Sequence, residues 1–187
     1  MSRIAIITGS TRPGRHNEAV AKWVLDHAQR REDAQFDLVD IADYGLAQLD
    51  EMMPASMGAY SQPHTQRWAD TIASYDGFIF VTPEYNHSTS GALKNAIDFL
   101  YAEWNNKAAG FVSYGAAGGT RAVEHLRLIM AELQIADIRA QVTLSLMADF
   151  TNFTEFTPQE HHVEALTPLF DQVVSWSTAL ASTRALA

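Results

Sequence analysis

A segment rich in hydroxyl groups, glycines and cations follows the first apolar run of the chain. Its sequence is Gly9-Ser10-Thr11-Arg12-Pro13-Gly14-Arg15-His16-Asn17. A phosphate monoester, with about two negative charges near neutral pH, is held best by hydroxyl and backbone N–H donors at a helix N-terminus. Ser10, Thr11 and Asn17 supply donors, and Arg12 or Arg15 adds a positive charge. These residue types predict a phosphate site, although a polar turn in which Asn17 only caps a helix has a similar composition.

The glycine spacing of this segment excludes two common phosphate-binding motifs. It lacks the Gly-x-Gly-x-x-Gly of a dinucleotide turn and the Gly-Lys-Ser/Thr of a P-loop. This disfavours NAD held in the Rossmann manner and the hydrolysis of nucleoside triphosphates. Within the segment, Arg15 and His16 are expected to be solvated rather than to contact a ligand.

Two further segments carry residue types suited to a flat heteroaromatic ring. They are Thr82-Pro83-Glu84-Tyr85-Asn86-His87-Ser88 and Ser113-Tyr114-Gly115-Ala116-Ala117-Gly118-Gly119-Thr120. The first combines an aromatic surface with an amide and a carboxylate for directed polar contacts. The second is rich in small residues that let the backbone approach a ring edge. Each segment alone is also typical of an ordinary turn, so the prediction depends on where the chain places them together.

Short apolar runs alternate with segments of helical period along the whole chain. The predicted strands are residues 4–7, 36–41, 78–81, 111–113 and 138–146, and the predicted helices are 17–30, 65–74, 93–104, 122–133 and 158–180. This alternation predicts one α/β domain over residues 1–187, with a parallel sheet covered by helices on both faces. Five strands joined by right-handed crossovers fit the flavodoxin-like order 2-1-3-4-5.

The three polar segments follow predicted strands 1, 3 and 4, where ligands bind in such sheets. Open α/β sheets bind ligands outside the carboxyl ends of their strands, at the point where the strand order reverses. The joint placement therefore predicts one ligand site. Residues 42–63 lack regular periodicity and contain Gly45, Pro54, Gly58 and Pro63, which predicts a long functional loop or a dimer contact.

Composition excludes several other classes of protein. The 187 residues include 13 Lys or Arg and 22 Asp or Glu, a net charge of −9, and this acidic balance disfavours a nucleic-acid partner. The absence of cysteine excludes a thiolate nucleophile, a disulfide framework and a cysteine-held metal or cluster. No apolar run is long enough for a bilayer and no signal peptide precedes the first strand, so we expect a soluble cytoplasmic protein with no membrane partner.

Histidine and serine chemistry are also disfavoured. The seven histidines are scattered, and the adjacent His161 and His162 cannot share a helix face as a metal-binding pair would. They are expected in an exposed helical segment with Glu160 and Glu164, and no metal site is predicted. No Gly-x-Ser-x-Gly elbow is present, which disfavours a serine hydrolase.

The three segments, taken with Gly91 and Leu93-Lys94-Asn95-Ala96-Ile97-Asp98, resemble the NAD(P)H-dependent FMN reductase family. This flavodoxin-like family includes NAD(P)H:quinone reductases. The stretch Lys107-Ala108-Ala109-Gly110-Phe111-Val112-Ser113-Tyr114-Gly115 resembles its second flavin loop. The likeness covers about residues 3–145, and the Pro-Glu-Tyr-Asn and Leu-Lys-Asn-Ala-Ile-Asp motifs are its most specific parts.

The resemblance implies a role for each matching residue. Ser10, Arg12 and Asn17 would hold the FMN phosphate. The isoalloxazine and ribityl chain would be lined by Pro83, Glu84, Tyr85 and Asn86, and the pyrimidine edge approached by Ser113, Gly115, Gly118 and Gly119. Glu84 has an alternative use as a helix-side or interface carboxylate. No catalytic side chain is assigned, because FMN carries the hydride chemistry. Family members are typically homodimers or homotetramers.

Two functions of different class follow from these expectations. In the first, the protein is an enzyme that uses NADPH or NADH to reduce quinones, free flavin or related acceptors through FMN. In the second, it is a flavodoxin-like FMN electron carrier for a protein partner, which the net charge of −9 also suits. The Pro-Glu-Tyr-Asn motif favours the enzyme, as does an apolar stripe ending in Tyr101 and Trp104 that is rich enough to form a dimer. The sequence does not choose between the two nucleotides or among the acceptors.

Overall fold

The computed structural model describes residues 1–186, in which strands and helices alternate. The strands are β1 (Ser2–Thr8), β2 (Ala34–Asp40), β3 (Gly77–Pro83), β4 (Ala108–Gly115), β5 (Ala136–Ser145), β6 (Phe150–Thr151) and β7 (Glu155–Phe156). The helices are α1 (Asn17–Ala28), α2 (Pro63–Ala73), α3 (Gly91–Asp98), α4 (Thr120–Glu132) and α5 (His161–Arg184). None of the helices in this range combines the length and apolarity needed to cross a membrane.

The five long strands form one parallel sheet in the order β2-β1-β3-β4-β5. The prediction of fold class is therefore confirmed, including the strand order. Every residue of β3 and β4 is buried, because helices cover both faces of the sheet and leave no solvated side for polar residues. The carboxyl ends of β1, β3 and β4 consequently lie side by side at one edge of the sheet.

Each face of the sheet has its own apolar core. On one face α2, α3 and α4 pack around Trp68, Phe78 and Trp104. On the other face α1 and α5 pack around residues such as Val24 and Leu169. The two layers of helices hold the strands in place, so the loops that follow the strands start from fixed positions.

Trp104 belongs to this core and not to a free surface. Helix α3 ends at Asp98, and Trp104 lies on a separate turn, fully buried, with its ring centroid 4.9 Å from that of Phe78. The sequence-based argument that this stripe forms a dimer contact is therefore wrong. The physical reason is that the stripe packs into the core of its own chain, where Leu93, Ile97 and Leu100 are each only 1% exposed.

The segment of residues 42–63 is ordered by specific hydrogen bonds, although it contains only two short 3₁₀ turns. Glu51 accepts hydrogen bonds from the backbone N–H groups of Ser61 and Gln62 and from the Ser61 hydroxyl. Burial acts to raise the pKa of Glu51, but these donors outweigh it and lower the pKa to about 2. The Asn95 side chain in α3 holds the other end, donating to the carbonyl of Ala47.

Candidate functional site

A cavity of about 190 Å³ opens at the carboxyl ends of the central strands. Five of the residues predicted for the site line it, namely Arg12, Pro83, Glu84, Tyr85 and Gly115. They come from the loops after β1 and β3 and from the last residue of β4, as predicted from the strand order. The same cavity is also lined by residues that were not predicted, among them Tyr114, Leu146 and Phe153.

The loop after β1 presents one hydroxyl and one unpaired cation. Ser10 is buried, and its Oγ lies 3.0 Å from the hydroxyl of Tyr85 and accepts a hydrogen bond from the backbone N–H of Arg12. The Arg12 side chain is exposed, lies 6.0 Å from the centroid of the Tyr85 ring, and makes no ion pair within residues 1–186. Arg12 is therefore free to pair with an anion in the cavity.

Arg15 is committed to the protein, and the expectation that it is solvated is wrong. Its side chain is 9% exposed and pairs with Asp40 at 2.5 Å and Glu18 at 2.7 Å. It also donates to the carbonyl of Ser10. Burial acts to lower the pKa of Arg15, but the hydrogen bonds and charges of Glu18 and Asp40 outweigh it and raise the pKa. Arg15 thus fixes the loop, and its charge is already paired within the protein.

His16 is half-buried, so the expectation that its side chain is solvated is also wrong. Its ring centroid lies 5.1 Å from that of Phe150, which follows β5. The sequence could not indicate this contact, because Phe150 lies in a segment with no recognisable motif. His16 closes one side of the cavity.

Asn17 is fully buried and ties the first loop to the centre of the sheet. Its Oδ1 accepts from the N–H of Gly9 at 2.8 Å, and its Nδ2 donates to the carbonyl of Val81 at 2.9 Å. It is the first residue of α1, whose N-cap is His16 without a side-chain bond, so the helix-capping alternative does not hold. In this geometry Asn17 positions the loop, and its contact with a phosphate stays a prediction.

The loop after β3 turns through a tight hairpin that separates Tyr85 from Asn86. Tyr85 and Ser88 exchange backbone hydrogen bonds of 2.9 and 3.2 Å across the turn. Asn86 and His87 between them have φ angles of 49° and 73°, the left-handed pair that such two-residue turns require. Asn86 is consequently exposed at the tip and does not line the cavity, whereas Pro83, Glu84 and Tyr85 do.

Glu84 forms an ion pair with Arg121 at the start of α4, which is the helix-side alternative weighed for it. The Arg121 Nε lies 2.6 Å from Oε1, and the Arg121 backbone N–H donates to Oε2 at 3.2 Å. The Glu84 side chain is only 4% exposed. Burial acts to raise the pKa of Glu84, but the Arg121 hydrogen bonds and charge lower it below its ordinary range. This pair locks the loop after β3 to the loop after β4.

The glycines after β4 allow that loop to fold against the strand end. Gly118 and Gly119 have φ angles of 67° and 73°, and a Cβ on Gly119 would lie 2.7 Å from the Cβ of Ser113. The Ser113 hydroxyl donates to the carbonyl of Gly118 at 2.7 Å. The loop is therefore held by contacts among Ser113, Gly118 and Gly119, which do not line the cavity. Gly115 does border the cavity.

Tyr114 is one of the cavity residues that the sequence did not predict. It is 4% exposed, and its hydroxyl is buried without a hydrogen-bond partner in the described part of the chain. Burial raises the pKa of Tyr114, so the phenol is a neutral donor at ordinary pH. The period-two alternation along β4, with Val112 and Tyr114 on one face, is a signal that could have found it.

The family model of NADPH-dependent FMN reductases matches residues 2–149 of the chain. An NAD(P)H-dependent FMN reductase from Nectria sp is 44% identical over 140 residues, which cover 70% of this chain and 70% of that protein. A quinone reductase from Escherichia coli K12 is 34% identical over 140 residues, again 70% of each chain.

A solved structure has the same fold over nearly the whole length. The flavoenzyme NAD(P)H:(acceptor) oxidoreductase FerB from Paracoccus denitrificans superposes with a TM-score of 0.74 at 23% identity. The superposition covers 96% of this chain and 98% of that one. The residues that border the cavity before position 149 all lie within the part matched by the family model.

Proposed function

Because the chain belongs to the NADPH-dependent FMN reductase family, we propose that its cavity binds FMN and serves the reduction of a small-molecule acceptor. The protein is an oxidoreductase with FMN as its cofactor and NAD(P)H as its co-substrate. Quinones and free flavin are its acceptor class, in keeping with relatives that are quinone reductases. The observation that carries this conclusion is the family match over residues 2–149, which contains the loops after β1, β3 and β4 at the cavity.

The polar groups of the cavity fit the cofactor. Arg12, whose exposed guanidinium has no ion pair in the described part of the chain, borders the cavity, and the hydroxyls of Ser10 and Tyr85 lie 3.0 Å apart beside it. This set of donors suits an anionic group such as the FMN phosphate or a carbonyl of the flavin ring.

We assign the predicted site residues to two roles. Ser10 and Arg12 would contact the phosphate, while Pro83, Tyr85 and Gly115 would border the ring. The other predicted residues would set the conformation of the loops around the cavity: Asn17, Glu84, Asn86, Ser113, Gly118 and Gly119. Arg12, Pro83, Tyr85 and Gly115 line the cavity, and Ser10 is added because its hydroxyl lies 3.0 Å from that of Tyr85. Glu84 also lines the cavity, but its carboxylate is bonded to Arg121.

FMN, held by Ser10 and Arg12 at its phosphate and bordered by Pro83, Tyr85 and Gly115, would supply the two-electron redox chemistry between the nicotinamide and the acceptor. For a quinone the balance is NAD(P)H plus one proton plus quinone, giving NAD(P)⁺ and hydroquinone. The side chains bind and orient the reactants and exclude water. Glu84 is held as a carboxylate by Arg121 and is not available to move a proton.

We also propose that a second copy of the chain completes the site, in a homodimer or homotetramer. The cavity of one chain, about 190 Å³, is smaller than the roughly 300–1,000 Å³ usual for sites of drug-sized ligands. Exposed apolar side chains of residues 42–63, namely Leu49, Met52, Met53 and Met57, offer a surface for association. The nicotinamide nucleotides that it uses are intracellular, which supports a cytoplasmic location.

A steady-state acceptor panel tests the proposal. FMN-loaded protein is mixed with NADH or NADPH and, in turn, a naphthoquinone, a benzoquinone and free flavin, and nucleotide oxidation is followed. We expect turnover with at least one nucleotide and one quinone. FMN-loaded protein that oxidises neither nucleotide with any acceptor would instead support the electron-carrier alternative. A colourless protein that takes up no added FMN would contradict both functions.

A further inference from the structure

A small hairpin formed by β6 and β7 reaches back from β5 across the cavity edge. Phe150 in β6 packs on Tyr114, with ring centroids 5.9 Å apart, and on His16 in the first loop. Phe156 in β7 packs edge-on against Trp23 of α1 at 5.7 Å. The hairpin is therefore built onto residues that themselves line or support the cavity.

A buried carboxylate fixes the base of this hairpin. Asp149, which is 1% exposed, accepts at Oδ2 from the N–H of Ser145 at 2.7 Å and at Oδ1 from the N–H of Gln159 at 3.0 Å. The Nε2 of His162 lies 3.0 Å from the same Oδ1, and the Asp149 carbonyl accepts from the N–H of Thr157. With both ends held by one residue, the tip of the hairpin has a defined position.

Phe153 stands at that tip with its ring available. It lines the cavity together with Leu146, yet 56% of its surface is exposed. Asn152 and Phe153 have φ angles of 53° and 57°, so both residues adopt the left-handed backbone conformation in this turn. A large apolar ring in this position leaves an unpartnered flat surface at the mouth of the cavity.

We propose that Phe153 is a specificity-determining residue, whose exposed ring binds the flat face of an aromatic acceptor of the quinone class. The inference rests on the proposed function and adds a residue to it. The family match ends at residue 149, so the hairpin lies outside the part of the chain matched to FMN reductases. A position at the rim, more than half exposed, suits the reactant that enters and leaves in each turnover.

The variant Phe153→Ala tests this assignment, with Phe153→Trp restoring a flat ring. Met147→Ala is the matched control, because Met147 is 74% exposed in the same segment and does not line the cavity. The first measurement is the Kd of a naphthoquinone for the oxidised, FMN-loaded protein without nucleotide, by calorimetry, where no turnover occurs. The second compares KM and kcat for the naphthoquinone and for ferricyanide, an acceptor without an aromatic ring.

We expect Phe153→Ala to weaken naphthoquinone binding by about five- to thirtyfold, the loss of one aromatic contact and its buried area. The KM for the naphthoquinone should rise in step, and by a larger factor than the KM for ferricyanide or the FMN Kd. Phe153→Trp and Met147→Ala should match the wild type. An unchanged naphthoquinone Kd in Phe153→Ala, or a loss of FMN affinity instead, overturns the assignment. Wild-type protein that binds no FMN refutes the proposed function, and the inference with it.

Discussion

Arg12→Ala separates binding of the FMN phosphate from the stability of the fold. Arg12 is exposed and its guanidinium has no carboxylate partner within residues 1–186, so its removal leaves no buried group unsatisfied. Surface changes of this kind usually alter the free energy of unfolding by less than about 0.5 kcal/mol. The first loop itself is held by Arg15 and Asn17, which the variant does not touch.

The cost to FMN binding follows from the lost charge. A hydrogen bond to a charged group contributes about 1.5–3 kcal/mol, and each 1.4 kcal/mol is about tenfold in affinity. Arg12→Ala should therefore raise the FMN Kd about 10- to 150-fold. Riboflavin has the same ring and ribityl chain without the phosphate, so its Kd should not change.

Fluorescence quenching measures both flavins with the apoprotein, and Arg15→Ala is the comparison variant. Because Arg15 pairs with Asp40 and Glu18, its removal should lower the free energy of unfolding and weaken FMN and riboflavin together. Equal loss of both flavins in Arg12→Ala, or no loss of either, would refute the role given to Arg12.

Three further predictions concern groups that hold the site or the fold. Glu84→Gln removes the charge that pairs with Arg121, and urea unfolding at neutral pH should show a free energy of unfolding lower by about 1–3 kcal/mol. Since the pKa of Glu84 is lowered in the folded state, this difference between wild type and variant should shrink as the pH falls below about 4. Burial and then the charge of Arg184 lower the pKa of Lys107 to about 8, so the unfolded chain binds more protons than the folded chain between about pH 8 and 10. The free energy of unfolding of the wild type should therefore rise by about 2 kcal/mol relative to that of Lys107→Met between about pH 7 and about pH 10. Asp149→Ala leaves the buried donors at the base of the hairpin without an acceptor and should cost about 2–3 kcal/mol in the same assay, and an unchanged midpoint would show that this carboxylate does not anchor the segment.

The layout of the fold and the edge that carries the site follow from local patterns. Short apolar runs predict buried strands such as β3, and apolar residues spaced three and four apart predict helices. A parallel sheet then brings the loops after β1, β3 and β4 together, whatever the conformation of each loop. The cavity between these loops was therefore predictable before any side-chain position was known.

Features that depend on contacts distant in sequence were not predictable. Arg15 meets Asp40 only because β2 lies beside β1, and no local signal indicates that pair. His162 was expected on an exposed helical surface but is buried against Asp149, because residues between them close the hairpin and delay the start of α5 to His161. The predicted start at Pro158 fails for the same reason, since the N–H of Gln159 is bonded to Asp149.

The most direct test of the central claim is the reduction of bound flavin by nicotinamide nucleotide in the absence of oxygen. The protein is loaded with FMN, mixed rapidly with NADH or NADPH, and the visible absorbance of the flavin is followed before a quinone is added. We expect the absorbance to be lost with at least one nucleotide and to return when the quinone is added. Bound FMN that keeps its absorbance with both nucleotides, or a cavity that binds no FMN, would contradict it.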